Sequence, residues 1–99
     1  MAKHFRMVIY NWDGRITVEL AGEIDGSSGA EVGYQLGRLG LPECTLDFSK
    51  VEAIDMFGAQ VLARGFKSLR NRGVRFEIDG LPERVAEMLC LGGVLEAIV

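Results

Sequence analysis

The chain has 99 residues, of which 48% are hydrophobic, and carries a formal net charge of -3. That length suits one domain over residues 1–99, with enough apolar content to bury a core without metal or disulfide staples. The mild acidity offers neither a basic footprint for nucleic acid nor a polybasic segment for anionic lipid. No run is long and apolar enough for direct membrane insertion. Cys44 and Cys90 have apolar neighbours and are expected as buried, reduced thiols. The single histidine, His4, lies in an N-terminal segment expected to fray, so no zinc-ligand set assembles and no metal or cofactor is expected. Residues 1–6 are too polar for a signal peptide, and a cytoplasmic, reducing setting is the expectation.

Met7–Asn11 and Arg15–Ala21 read as two strands joined at Trp12-Asp13-Gly14, since Asp-Gly tolerates the positive φ of a tight hairpin. Ile16, Val18 and Leu20 alternate with Arg15, Thr17 and Glu19, giving one buried and one wet face. Ser27 or Ser28 is placed to cap a helix running to about Leu39 with Val32, Leu36 and Leu39 inward. Gly29, Gly33 and Gly37 form a stripe beside them; each costs about 0.8–1 kcal/mol relative to alanine in a helix, so something requires close backbone approach there. Tight packing on the sheet is the expectation, with a homodimer or partner contact as the alternative.

Cys44–Phe48 is a short apolar strand of the kind buried on both faces in a parallel sheet. Phe57–Arg72 follows as a helix with Leu62, Phe66 and Leu69 inward and Gln60, Arg64, Lys67, Ser68 and Asn71 outward. Val74, Phe76 and Ile78 alternate with Arg75, Glu77 and Asp79 in a half-buried strand. Pro82 suits a first helical position, and that helix runs through Val85, Met88 and Leu89 to Gly92-Gly93. Val94–Val99 is a short apolar ending that could close as a helix turn or a strand. The order β-β-α-β-α-β-α describes an α/β domain, its mainly parallel mixed sheet edged by an antiparallel N-terminal hairpin strand and packed by helices.

Glu23, Asp25, Asp47 and Asp55 could gather near one sheet end, and paired carboxylates can do acid–base work. No nucleophile–base pair, metal-ligand spacing or usable histidine accompanies them, and Gly26-Ser27-Ser28-Gly29 lacks the lysine of a phosphate-cradling loop. The expectation is a protein that is not an enzyme.

In Val18–Asp25, Leu46–Val51, Ala53–Gly58, Asn71–Val74 and Leu89–Gly93, in that order and spacing, the sequence resembles the STAS domain family, in particular its anti-sigma-factor antagonists. The resemblance implies a STAS-like fold and a cytoplasmic bacterial signalling module that acts in transcription regulation. Its partner would be a serine-kinase-type anti-sigma factor, whose docking frees a sigma factor. It also implies a switch at a serine or threonine directly after the aspartate of an Asp-Ser-x-Gly motif. Here that phosphoacceptor position is Met56, within Asp55-Met56-Phe57-Gly58, so no hydroxyl is available and no phosphorylation is expected. The implied partner-binding surface comprises Asp25, Asp55, Met56, Phe57 and Gly58. Met56 and Phe57 are expected as an exposed patch fixed in the unphosphorylated-like state, Met56 the better exposed; burial of Met56 as core is the competing reading. Ser27, Ser28 and Ser49 are read as cap and turn residues. Free-standing STAS proteins also resemble the cytosolic accessory subunit of a phospholipid-trafficking ABC transporter, which grips its ATPase; gene neighbourhood would separate the two. Some relatives carry nucleotides or other small molecules, but no residue here points to such a ligand.

Overall fold

The computed structural model describes residues 4–98. The first three residues, part of the segment read against a signal peptide, and Val99 lie outside the described residues. Strand β1 (Arg6–Trp12) and strand β2 (Arg15–Ile24) form the expected hairpin. Asp13 and Gly14 both take positive φ, 54° and 83°, the pair of values that lets a two-residue loop follow the right-handed twist of its strands. The Gly14 amide donates to Asn11 Oδ1 at 3.2 Å and closes the turn.

Helix α1 (Gly26–Leu39), strand β3 (Glu43–Ile54), helix α2 (Met56–Asn71), strand β4 (Arg75–Asp79), helix α3 (Glu83–Leu91) and a short helix α4 (Val94–Ile98) follow. The sheet has the order β1-β2-β3-β4, with β1 antiparallel to β2 and the remaining pairs parallel. The mixed sheet and the order of elements are as the periodicity implies, with the ending resolved as a helical turn that buries Val94, Ala97 and Ile98.

One contiguous core joins Val18, Leu20 and Ile24 of β2 and Cys44, Leu46 and Phe48 of β3 to Val32, Leu36, Leu62, Phe66, Val85 and Leu89 of the helices. Each fully buried large apolar side chain contributes about 1.5–3 kcal/mol, which is why Phe48 and Phe66, both fully buried, anchor the centre. Phe66 meets Phe76 of β4 with ring centroids 5.1 Å apart and planes tilted 49°, an off-parallel contact that suits the ring quadrupoles.

Several expectations need correction. Strand β3 is longer than Cys44–Phe48 and is buried on one face: Thr45 and Asp47 point to the half-buried side. Asp47 pairs Glu19 and Lys50 pairs Ala21, then Val51 pairs Gly22 and Ala53 pairs Glu23, so β3 carries an extra residue at each of two steps. Such bulges break a period of two, which conceals the later half of the strand from pattern reading. The glycine stripe of α1 packs against α2, not the sheet: a Cβ on Gly33 would lie 3.5 Å from Gly65 Cα, and one on Gly29 would lie 3.0 Å from the Gly58 carbonyl oxygen. That face is therefore already engaged within the chain. Leu39 is exposed where the helix ends, and Gly40 closes α1 in the left-handed conformation. Cys44 is buried but Cys90 is exposed. Burial raises the Cys44 thiol to about 11, which keeps it protonated and unreactive near neutral pH. Pro82 is the residue before α3, not its first residue.

Candidate functional site

Parallel pairing places Ile24 opposite Ile54, so β2 and β3 end level with each other. The next residue in each case is an aspartate that caps a helix: Asp25 for α1 and Asp55 for α2. Asp25 Oδ1 accepts from the Ser28 amide at 2.9 Å, while the Asp25 amide donates to Ser28 Oγ at 2.8 Å, a reciprocal capping box. The cap is thus Asp25, not Ser27 or Ser28, and α1 begins at Gly26. Hydrogen bonds from Ser28 hold the Asp25 carboxyl below its ordinary value of 3.8. Asp55 Oδ1 accepts from the Gly58 amide at 2.7 Å, and the Asp55 amide donates to the Ile24 carbonyl at 3.2 Å, locking one junction to the other.

Gly58 is the contact on which this arrangement turns. A Cβ there would lie 2.6 Å from the Ile24 carbonyl oxygen and 3.2 Å from the Asp25 carbonyl carbon. Only glycine lets the first turn of α2 sit so close to the end of β2. Asp25, Asp55 and Gly58 are therefore brought together, the aspartates as caps and the glycine as a buried spacer.

Above this base Met56 is 38% and Phe57 71% exposed. Phe57 is the better presented, contrary to the expected order. Counting about 100° per residue back from inward-facing Leu62 puts Met56 roughly 120° and Phe57 roughly 140° away from the core direction. Phe57 also leans over the start of α1, where a Cβ on Gly26 would be 3.8 Å from Phe57 Cβ. The reading of Met56 as core is overturned by its exposure, although it is the more sheltered of the two.

Sequence reasoning missed Leu91, which is 72% exposed at the end of α3. The following Gly92 abuts Ala59, since a Cβ on it would come within 2.4 Å of Ala59 Cβ. This contact seats the end of α3 beside the first turns of α2. The signal was present in Leu91-Gly92-Gly93, where the glycines do more than stop a helix.

The catalytic alternative gains no geometry. Glu23 is exposed, Asp47 Oδ1 accepts from the Ser49 amide at 2.8 Å, and Asp25 and Asp55 are occupied as caps. Among the described residues no cluster of His, Cys, Asp or Glu is arranged to hold a metal ion. Nor, among them, is any helix long and apolar enough to cross a membrane.

A four-stranded sheet whose parallel strands feed two capped helix starts, with an exposed apolar turn above them, defines the class of small STAS-fold domains. The chain belongs to the STAS family: the family profile described as "Mlab, STAS domain" matches residues 10–99. An anti-sigma factor antagonist from Mycobacterium paratuberculosis is structurally similar, with a TM-score of 0.74 at 20% identity over 96% of this chain and 83% of that one. An antisigma-factor antagonist STAS domain from Rhodobacter sphaeroides gives 0.64 at 22% identity, covering 81% of this chain and 90% of that one. The unphosphorylated form of the anti-sigma factor antagonist SpoIIAA gives 0.68 at 12% identity over 97% and 86%. No curated protein sequence matches the chain significantly.

Proposed function

We propose that this chain is a non-catalytic protein-interaction module of the anti-sigma-factor-antagonist kind. It docks on a serine-kinase-type anti-sigma factor through the surface built by Asp25, Asp55, Met56, Phe57 and Gly58. The carrying observation is the exposed Met56–Phe57 pair on a turn that two caps and one obligatory glycine hold rigid. A large aromatic at a fixed position anchors an interface at low entropic cost. Phosphorylation beside Asp55 would add nearly two negative charges to this surface and disrupt docking. Met56 has no hydroxyl, so the module stays in its binding-competent state.

Titration of the candidate kinase with wild-type protein, Phe57→Ala and Met56→Glu tests the reading. Binding of the wild type, weakened more than about tenfold by Phe57→Ala, is expected from loss of an anchor of at least ~1.4 kcal/mol. Met56→Glu should weaken it as well. Incubation with ATP should leave Ser27, Ser28 and Ser49 unmodified by mass spectrometry. Phosphate on one of them that changes affinity contradicts the constitutive state.

The lack of a phosphoacceptor at Met56 also favours a second reading, because an accessory subunit gripping the ATPase of a phospholipid-trafficking ABC transporter needs no such switch. The same turn would be the contact. Stable association with an ABC ATPase and none with the kinase would select this reading.

A further inference from the structure

Strand β1 is a seven-residue sheet edge that, among the described residues, lacks the usual protection. Exposed edges are blunted by charge, proline, bulges or shortness. From Arg6 to Trp12 there is one charge and no proline, and the pairing with β2 is unbroken. The strand's side chains are also unusually apolar for an edge: Val8 and Ile9 are 40%, Tyr10 49% and Trp12 82% exposed.

The hairpin fixes which backbone groups are free. A two-residue loop makes its closing pair, Trp12 with Arg15, a hydrogen-bonded one, and bonding then alternates along the ladder. Trp12, Tyr10, Val8 and Arg6 thus direct their N–H and C=O groups to β2. Met7, Ile9 and Asn11 direct theirs to the open edge.

We infer that β1 pairs antiparallel with β1 of a second copy of this chain, with the two-fold axis at Ile9. This register sets Ile9 against Ile9 and Met7 against Asn11, so every outward N–H of the three residues meets an outward C=O. On the open face of the sheet it sets Val8 against Tyr10 and Arg6 against Trp12, at the closer, non-hydrogen-bonded positions. The strand is complementary to itself: an aliphatic meets an aromatic, and the only cation meets an indole face. A C2 contact requires this kind of self-matching patch, whereas a foreign peptide strand would have to supply it independently. The contact is a single pair of short strands, so the interface is small and the dimer weak and concentration-dependent. The axis turns the two Phe57 turns toward opposite ends of one eight-stranded sheet, which leaves both free for a partner.

Sedimentation equilibrium with amide hydrogen exchange tests the register. The wild type should approach twice the monomer mass as concentration rises, with the amides of Met7, Ile9 and Asn11 gaining protection in parallel. The double variant Val8→Lys/Tyr10→Lys sets like charges opposite across the axis and should be monomeric. Val8→Lys/Tyr10→Glu sets opposite charges there and should recover the dimer; circular dichroism of both variants confirms the fold. A wild type that stays monomeric overturns the inference, and so does a dimer indifferent to both double variants. Protection of these three amides only on adding a different protein would show the edge serves a foreign strand, which also overturns it.

Discussion

Gly58 shows how one residue can hold a surface in place. Its missing side chain leaves room for the Ile24 carbonyl, and its amide satisfies Asp55. Gly58→Ala forces α2 away from the end of β2, and overpacking of this kind costs about 1–3 kcal/mol. For a domain of this size each 1 kcal/mol lowers the melting temperature by roughly 4–8 °C, a loss calorimetry reads directly. Partner affinity should fall beyond what the loss of folded protein explains, because Met56 and Phe57 move with the turn. Asp25 makes a separate prediction from its lowered carboxyl pKa. A depressed folded-state value means the ionised cap stabilises the fold above the ordinary value of 3.8, and this stabilisation is lost as pH falls through the lower, folded-state value. Thermal melts across acid pH should therefore show Asp25→Asn, a neutral residue that still caps, converging on the wild type as the carboxyl protonates. Asp25→Ala, which cannot cap, should melt several degrees lower near neutral pH. A constant gap between wild type and Asp25→Asn at all pH values would contradict the role given to ionisation.

At the scale of elements, the two helices over the sheet approach through glycine on both sides, Gly33 of α1 against Gly65 of α2. A single methyl at either position makes ordinary van der Waals contact and removes a glycine penalty of about 0.8–1 kcal/mol. Gly33→Ala and Gly65→Ala should each be neutral to stabilising in denaturant titrations. The double substitution puts two methyl groups into one gap and should fall short of the sum. Additivity would show that the helices do not depend on this close approach. The glycine stripe was visible in the sequence, but its partner was not: a period of 3.6 says which residues share a face and nothing about which neighbour that face meets. Strand β2 and helix α2 were legible because their apolar periods are unbroken. The second half of β3 was not, because its two extra residues put Val51 three residues after Phe48 and Ile54 three after Val51, so the buried positions no longer recur every second residue. Asp25 and Asp55 were recognisable as a pair from their motifs. Their roles as neighbouring caps depend on Ile24 lying opposite Ile54, a long-range register no local pattern carries. The relative exposure of Met56 and Phe57 was expected in the wrong order, although the turn of about 100° per residue from Leu62 already carries Phe57 slightly further from the core. The exposure of Leu91, by contrast, depends on where α3 lands against Ala59.

Although Trp12 stands beside the hairpin turn, the whole molecule places its two helix caps and the other two of its three most exposed apolar side chains at one end. Parallel strands finish there, two helices start there, and Phe57 and Leu91 stand out above the caps. The hairpin turn at Asp13 lies at the opposite end of β2 and serves as the internal contrast. The most direct measurement is site-specific photo-crosslinking: a benzophenone side chain at position 57 and, separately, at position 13, each mixed with the candidate kinase and with an ABC-type ATPase. Crosslinks to the kinase from position 57 and none from position 13 are expected. Crosslinks to either protein from position 13 alone, with position 57 silent, would contradict docking through Phe57.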